Sequence, residues 1–241
     1  MKKLLFSTVA IFALGAFANA GGKLVEPPVV PPISIDEWSG PYIGLQLGYI
    51  KGDGKTKVVP RGAAVVALPP VFTARNKPGG FIGGAYVGYN KLLQDNWLIG
   101  VELAGNYVKI DKTATLYDSS GAATAVNFKL KQKNEGALYL KLGKVINNQY
   151  MPYILGGITA TKLEGTLING GASVKSSDTV AGFTVGAGLE FKINRNWHAR
   201  VQYRFSKYSD AKFNYTIGGT TVNGTTDYKT HTVQAGISYH F

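Results

Sequence analysis

Residues Lys229 to Phe241 read K-T-H-T-V-Q-A-G-I-S-Y-H-F. In an extended chain Val233, Ala235, Ile237, Tyr239 and Phe241 lie on one face, and Thr232, Gln234, Gly236, Ser238 and His240 on the other. A two-residue period, apolar against polar or small, is the signature of a β-strand placed between two unlike environments. The strand ends the chain on an aromatic side chain, which a soluble sandwich strand seldom does.

Six more segments alternate in the same way, and a seventh less clearly. Tyr42–Ile50 sets Ile43, Leu45, Leu47 and Tyr49 against Gly44, Gln46 and Gly48. Phe81–Asn90 sets Phe81, Val87 and Tyr89 against Gly84, Tyr86, Gly88 and Asn90. Trp97–Lys109, Phe128–Gly143, Thr179–Lys192 and Trp197–Ser206 continue the pattern. Met151–Leu163 alternates poorly, and its facing stays open. The connections Lys91–Asn96, Val145–Tyr150 and Ile193–Asn196 are short and rich in turn-forming Asn and Asp. Those at Gly52–Gly80, Ile110–Asn127, Glu164–Asp178 and Lys207–Tyr228 are long and are expected to be loops. Short turns alternating with long loops, over an even number of strands, predict an all-β fold: an eight-stranded antiparallel up-and-down transmembrane β-barrel.

Composition agrees. The chain has 31 Gly and 14 Tyr, with no long apolar stretch after its N-terminus. It has no Cys, which excludes disulfides, thiolate metal sites and thiol catalysis. Met1-Lys2-Lys3, an apolar run Leu4–Ala18 and the small-x-small site Ala18-Asn19-Ala20 predict a signal peptide, 1–20. A proline-rich periplasmic lead-in is expected at 21–37 and the barrel at 38–241. The formal net charge is +12. With an export signal, that charge points away from nucleic acid and toward outer-membrane lipid and lipopolysaccharide phosphate, or simply toward a soluble surface.

Arg or Lys facing lipid at mid-membrane costs roughly 2–4 kcal/mol. Glu102, Lys141, Glu190, Arg200 and Arg204 all fall on the glycine-bearing faces, so those faces must line the lumen. Two neighbouring-strand pairs are expected, Glu102–Lys141 and Glu190–Arg200. They could act as an ion gate or as a structural plug, and the plug is the reading adopted. Eight strands leave an interior that side chains can fill, although inward glycines leave room for a narrow water path. Lys129, Lys131 and Lys133 alternate in phase with Lys141 and would form a basic ladder at the outer mouth, either an anionic-ligand site or a solvated strand end.

The segments W-S-G-P-Y-I-G-L-Q-L-G-Y (Trp38–Tyr49), G-Y-N (Gly88–Asn90), G-A-G-L-E-F (Gly186–Phe191), N-W-H-A-R-V-Q-Y-R-F (Asn196–Phe205) and the terminal Y-H-F resemble the small outer-membrane β-barrel family. This is the OmpA-like, opacity-type group of Gram-negative surface proteins. The resemblance covers 38–241. It implies an outer-membrane location, long loops outside, both termini in the periplasm, and Tyr239 and Phe241 as the C-terminal signal read by assembly machinery. Its members include structural proteins, adhesins, small pores and haem-binding proteins, so the fold alone does not supply a function.

The histidines, His198, His231 and His240, make no H-x-x-x-H pair, and no G-x-S-x-G turn is present. No catalytic residue, cofactor or metal is expected. The leading expectation is a non-enzymatic outer-membrane protein with a role in envelope integrity and in contact with a host or surface ligand. The alternatives are a narrow channel, and haem or anionic-ligand binding at the outer mouth. The first long connection, about residues 52–80, which carries Ala63-Ala64-Val65-Val66 among its prolines, is the expected partner surface, the alternative being that its apolar residues fold back over the barrel mouth.

Overall fold

The computed structural model describes residues 37–61, 72–117, 123–169, 172–217 and 220–241. The expected signal peptide, the expected proline-rich lead-in up to residue 36 and Ala63–Val66 lie outside the described residues.

Among the described residues ten strands follow one another: β1 (Gly40–Arg61), β2 (Phe72–Asn76), β3 (Gly79–Leu92), β4 (Trp97–Tyr117), β5 (Ala123–Lys144), β6 (Tyr150–Asn169), β7 (Ala172–Lys192), β8 (Trp197–Tyr208), β9 (Ala211–Ile217) and β10 (Thr220–His240). They make eight staves. β2 pairs with β1 just beyond the β1–β3 ladder, so β2 and β3 form one stave interrupted at Lys77-Pro78. β8 and β9 similarly share one side of β10, interrupted at Ser209-Asp210. Every ladder is antiparallel, and β1 pairs with β10 from Tyr42↔His240 to Arg61↔Thr221. The sheet is thereby closed through β1, β3 to β8 and β10, which is what hydrocarbon demands of a spanning β-structure; beyond that part β9 is laddered to β10 alone among the described residues.

The tight connections sit together at the end where β1 begins and β10 finishes, termed here the terminal end. Asn147 and Asn148 both have positive φ (51° and 53°), as do Asp95 (56°) and Asn96 (62°). Asn and Asp tolerate this left-handed geometry best among residues with a side chain. Asn194 Oδ1 accepts from the backbone N–H groups of Asn196 and Trp197 at 3.0 and 2.9 Å, closing the third turn.

At the far end the expectation of long loops is corrected. β5 has 22 residues and β4 and β7 have 21 each, whereas about 9–11 suffice to cross a bilayer. Most of each expected loop is strand. The reason is an inversion of sidedness. Near the terminal end the wall is apolar outside (Leu45, Leu103, Leu140, Ile154, Val185 and Ile237 are exposed), and inside it mixes buried charges with a cluster that includes Tyr86, Leu98, Met151 and Leu155. Beyond Tyr49, Tyr107 and Phe205 the outside turns to exposed Lys51, Lys55, Lys109, Lys162, Lys175 and Lys207. There the inside turns to Phe128, Leu130, Leu163, Val180, Tyr208, Phe213 and Tyr228, a buried cluster of the kind found in a water-soluble protein. Lipid and water ask for opposite patterns, and each strand obeys both in turn. Aromatic pairs mark the limits of the apolar band, Tyr49–Phe81 at one side (ring centroids 5.9 Å) and Trp197–Tyr239 at the other (5.4 Å). Such girdles are typical of membrane barrels.

β6 acquires a definite facing. Ile154 and Ile158 point out, while Met151, Tyr153, Leu155, Thr159 and Thr161 are buried.

The basic ladder is also corrected. The register of β5 against β6 shifts between Gln132 and Glu135, and that of β4 against β5 between Tyr107 and Ile110. An extra residue reverses the alternation, because the side-chain period is two. Leu130 and Gln132 are therefore buried before the shift, and Glu135, Ala137, Tyr139 and Lys141 after it. Lys129, Lys131 and Lys133 stand on the outer wall, out of phase with Lys141. Lys133 pairs there with Glu164 at 2.7 Å, and this lysine hydrogen bond holds the Glu164 carboxyl below its usual range.

Candidate functional site: the closed lumen

Every second residue of the apolar-walled staves faces inward, and the narrow bore brings opposite walls within reach of one another. Glu102 on β4, Lys141 on β5, Glu190 on β7 and Arg200 and Arg204 on β8 are all buried in the lumen. They do not form the expected neighbouring-strand pairs. Glu190 stands directly opposite Arg200 in the ladder, yet Arg200 reaches across the bore to Glu102. It forms a two-pronged ion pair, Nη1–Oε2 2.6 Å and Nη2–Oε1 3.0 Å. Lys141 pairs instead with Glu190, Nζ–Oε2 3.3 Å. The long guanidinium spans the lumen, and a fork matched to a carboxylate wins over proximity along the sheet.

A sixth charge completes the set. Arg204 binds Glu135 Oε1 at 3.1 Å and Gln234 Oε1 at 2.7 Å, and also contacts the Tyr139 hydroxyl. The other Glu135 oxygen accepts from Tyr208 Oη at 2.9 Å. Sequence reasoning missed Glu135, although a signal was present. Glu102 and Glu190 leave one of Lys141, Arg200 and Arg204 without a carboxylate, and Glu135 shares the parity of Lys141. Among the described residues the buried cations Lys141, Arg200 and Arg204 are matched by the buried carboxylates Glu102, Glu135 and Glu190. Buried charge persists when paired and hydrogen-bonded in this way.

Neutral groups join the Arg200–Glu102 and Arg204–Glu135 pairs into one network. Gln46 accepts from Arg200 at 2.6 Å and donates to Asn106 Oδ1 at 2.8 Å. Asn106 donates to Glu135 at 3.1 Å, and Tyr42 Oη donates to Glu102 at 2.9 Å. Further toward the far end, Tyr228 Oη donates to Gln132 at 2.8 Å, and the Thr56 and Thr226 hydroxyls meet at 2.9 Å. Three of the inward glycines, Gly44, Gly88 and Gly188, are seats for tyrosine rings. A Cβ on Gly44 would lie 2.5 Å from Tyr86 Oη, and one on Gly188 would lie 2.5 Å from Tyr153 Oη.

The terminal end carries a strap. Glu37 pairs with Lys192 and accepts from Asn148 Nδ2 at 2.8 Å. Trp38, fully buried, donates from Nε1 to Asn148 Oδ1 at 2.8 Å. The hydrogen bond from Lys192, then that from Asn148, lowers the Glu37 carboxyl pKa from its usual value. A carboxylate with a depressed folded value contributes stability above its unfolded pKa and loses it as pH falls through the folded one. The Glu37 contribution is therefore present at neutral pH and lost in acid, whereas burial of Trp38 does not depend on pH. His198 and His240 lie beneath Trp38 in the lumen. His231 stands outside, exposed, with its Nδ1 2.6 Å from Tyr203 Oη. Tyr239 and Phe241 both face outward at the terminal end, their rings 5.1 Å apart.

A closed barrel with an apolar waist, aromatic girdles and a charge-balanced polar interior is an integral outer-membrane protein. The family described as outer membrane protein beta-barrel domain matches residues 6–241, and the chain belongs to that family. It is 31% identical over 245 residues to the 25 kDa outer-membrane immunogenic protein of Brucella abortus, covering 100% of this chain and 99% of the relative. It is 28% identical over 253 residues to the 31 kDa outer-membrane immunogenic protein of Brucella melitensis, covering 100% of each. Among solved structures it resembles the outer membrane protein OprG of Pseudomonas aeruginosa, with a TM-score of 0.51 and 13% identity over 85% of this chain and 98% of the other. That likeness is one of fold. The family is one of outer-membrane barrels and not of enzymes.

Proposed function

We propose that the protein is a closed structural barrel of the outer membrane, a non-enzymatic surface element rather than a channel. Its extended end faces outward and both termini are periplasmic. The observation that carries this reading is the matched set of three buried cations and three buried carboxylates, bridged by amides and tyrosines across the bore. The clustering of the short turns with the chain ends supports the orientation, as does the water-adapted outer wall at the other end. The relatives' designation as immunogenic proteins accords with a surface position. Envelope integrity and contact with a host or surface ligand are the roles such a body serves.

Lipopolysaccharide is the proposed neighbour of the outer wall. Lys51, Lys109 and Lys207 each stand two residues beyond an outward aromatic group, Tyr49, Tyr107 and Phe205. This places cations at headgroup level, where phosphate is attracted electrostatically. Tyr239 and Phe241 are the proposed contact for assembly machinery.

Planar-bilayer recording of the purified barrel tests the closed lumen. The expected result is no discrete conductance steps, and reproducible openings in the wild type overturn it. The absence of native Cys permits a direct test of orientation. Thr179→Cys on the extended wall is expected to react with a membrane-impermeant maleimide on intact cells, whereas Asn147→Cys in a terminal-end turn is not. The reverse pattern inverts the proposed topology.

A further inference from the structure

We propose that Glu190, His198 and His240 form a binding site for one divalent transition-metal ion, zinc foremost, at the terminal end of the lumen. The three residues come from β7, β8 and β10, so no local sequence motif announces them. His198 Nδ1 lies 3.0 Å and His240 Nε2 3.4 Å from the same oxygen, Glu190 Oε1. All three donor atoms fall within 4.8 Å of one another. A tetrahedral ion held at 2.0–2.2 Å by nitrogen and oxygen places neighbouring donors about 3.3 Å apart, so little movement is needed to admit one. Two imidazoles and a carboxylate favour zinc, nickel or cobalt over magnesium or calcium, which prefer an all-oxygen shell.

The rings are already held in place. His198 and His240 stack with centroids 3.8 Å apart, Trp38 packs on His198 at 4.6 Å, and Tyr42 stacks on His240 at 4.9 Å. Their remaining nitrogens, His198 Nε2 and His240 Nδ1, are buried without a hydrogen-bond partner. If the protons sit on the inner nitrogens, the outer ones are orphaned acceptors. If they sit on the outer nitrogens, two lone pairs converge on a carboxylate oxygen with nothing positive between them. Ser238 Oγ, 3.3 Å from His240 Nε2, satisfies only one of these atoms. An ion among the three inner donors removes the lone-pair conflict of the second arrangement, leaving the outer N–H groups as buried donors.

Lys141 is the internal competitor, since its ammonium is the present counter-ion of Glu190. It also lies 4.8 Å from the Tyr42 ring centroid and 5.2 Å from that of Tyr153, faces that can hold it when an ion takes its place. Trp38 covers the site from the terminal end, so release of the strap is the route of entry.

The test is calorimetric titration of zinc into the untagged, folded chain in detergent micelles, with folding verified by heat-dependent gel migration. One ion per chain is expected. His198→Ala or His240→Ala should weaken binding on the order of tenfold or more, while His231→Ala, outside the barrel, should leave it unchanged. Lys141→Met should tighten binding, a response that surface coordination by histidine would not give. Absence of stoichiometric binding overturns the proposal, as does equal affinity after both lumen histidine changes. Should those two variants fail to fold, unchanged or weakened affinity in Lys141→Met overturns it instead.

Discussion

Arg204→Met is expected to lower the stability of the barrel by about 3–5 kcal/mol, the usual result of removing one member of a buried ion pair. The cost arises at Glu135. Its carboxylate, buried among Asn106, Tyr139 and Tyr208, would keep hydrogen bonds from Asn106 and Tyr208 but lose its only cation among the described residues. Gln234 would lose its guanidinium donor as well. The measurement is urea unfolding from phospholipid vesicles. The informative companion is the double change Arg204→Met with Glu135→Met. Replacing a whole buried pair by apolar groups of similar size is often neutral or better, so most of the loss should return. A single-variant loss below about 1 kcal/mol would mean that the pair does not hold the lumen together.

The second large effect is expected on the opposite face. Leu140, 70% exposed, sits midway along the apolar outer wall between Leu138 and Leu142. Leu140→Arg should cost roughly 2–4 kcal/mol in vesicles, because a guanidinium would then face hydrocarbon. Thr179→Arg, also outward but on the extended part of β7, should change stability by no more than about 0.5 kcal/mol. Similar losses at the two positions would mean that lipid does not stop where the lysines begin. The pair of measurements therefore locates the membrane boundary as well as testing the lipid face.

Much of this architecture was legible in the sequence, for a physical reason. Lipid imposes a strict requirement, and Ile43, Leu45 and Leu47 or Ala199, Val201 and Tyr203 cannot satisfy it facing inward. The faces of the lipid-exposed staves other than β6 therefore follow from alternation, and the turns between them from their Asn and Asp residues. The extended ends did not, because a strand in water carries the inverse pattern. Lys55, Thr56 and Lys57 look like loop residues to a reader expecting an apolar outer face. The shift between Gln132 and Glu135 was equally hidden, since nothing in K-Q-K-N-E (131–135) marks an extra residue. Ion-pair partners were the least legible. They depend on which side chains meet across the bore, and that is set by stave tilt and side-chain length rather than by order along the sheet. The two lumen histidines were placed inward by parity, but their meeting at Glu190 required three separate registers to be known.

The change of sidedness along each strand also fixes how deep the molecule floats. A body with one uniform greasy surface can ride higher or lower at small expense. Here, a displacement of two residues toward the terminal end would draw Lys51, Lys109 and Lys207 together into hydrocarbon. At roughly 2–4 kcal/mol for a fully immersed cation, and less near the interface, even a shallow plunge is opposed by three penalties at once. A displacement the other way would strand Leu45, Leu47 and Phe81 in water. The waterline is thus written into the chain, and where the surrounding bilayer is too thick or too thin, the lipids must bend to meet the protein.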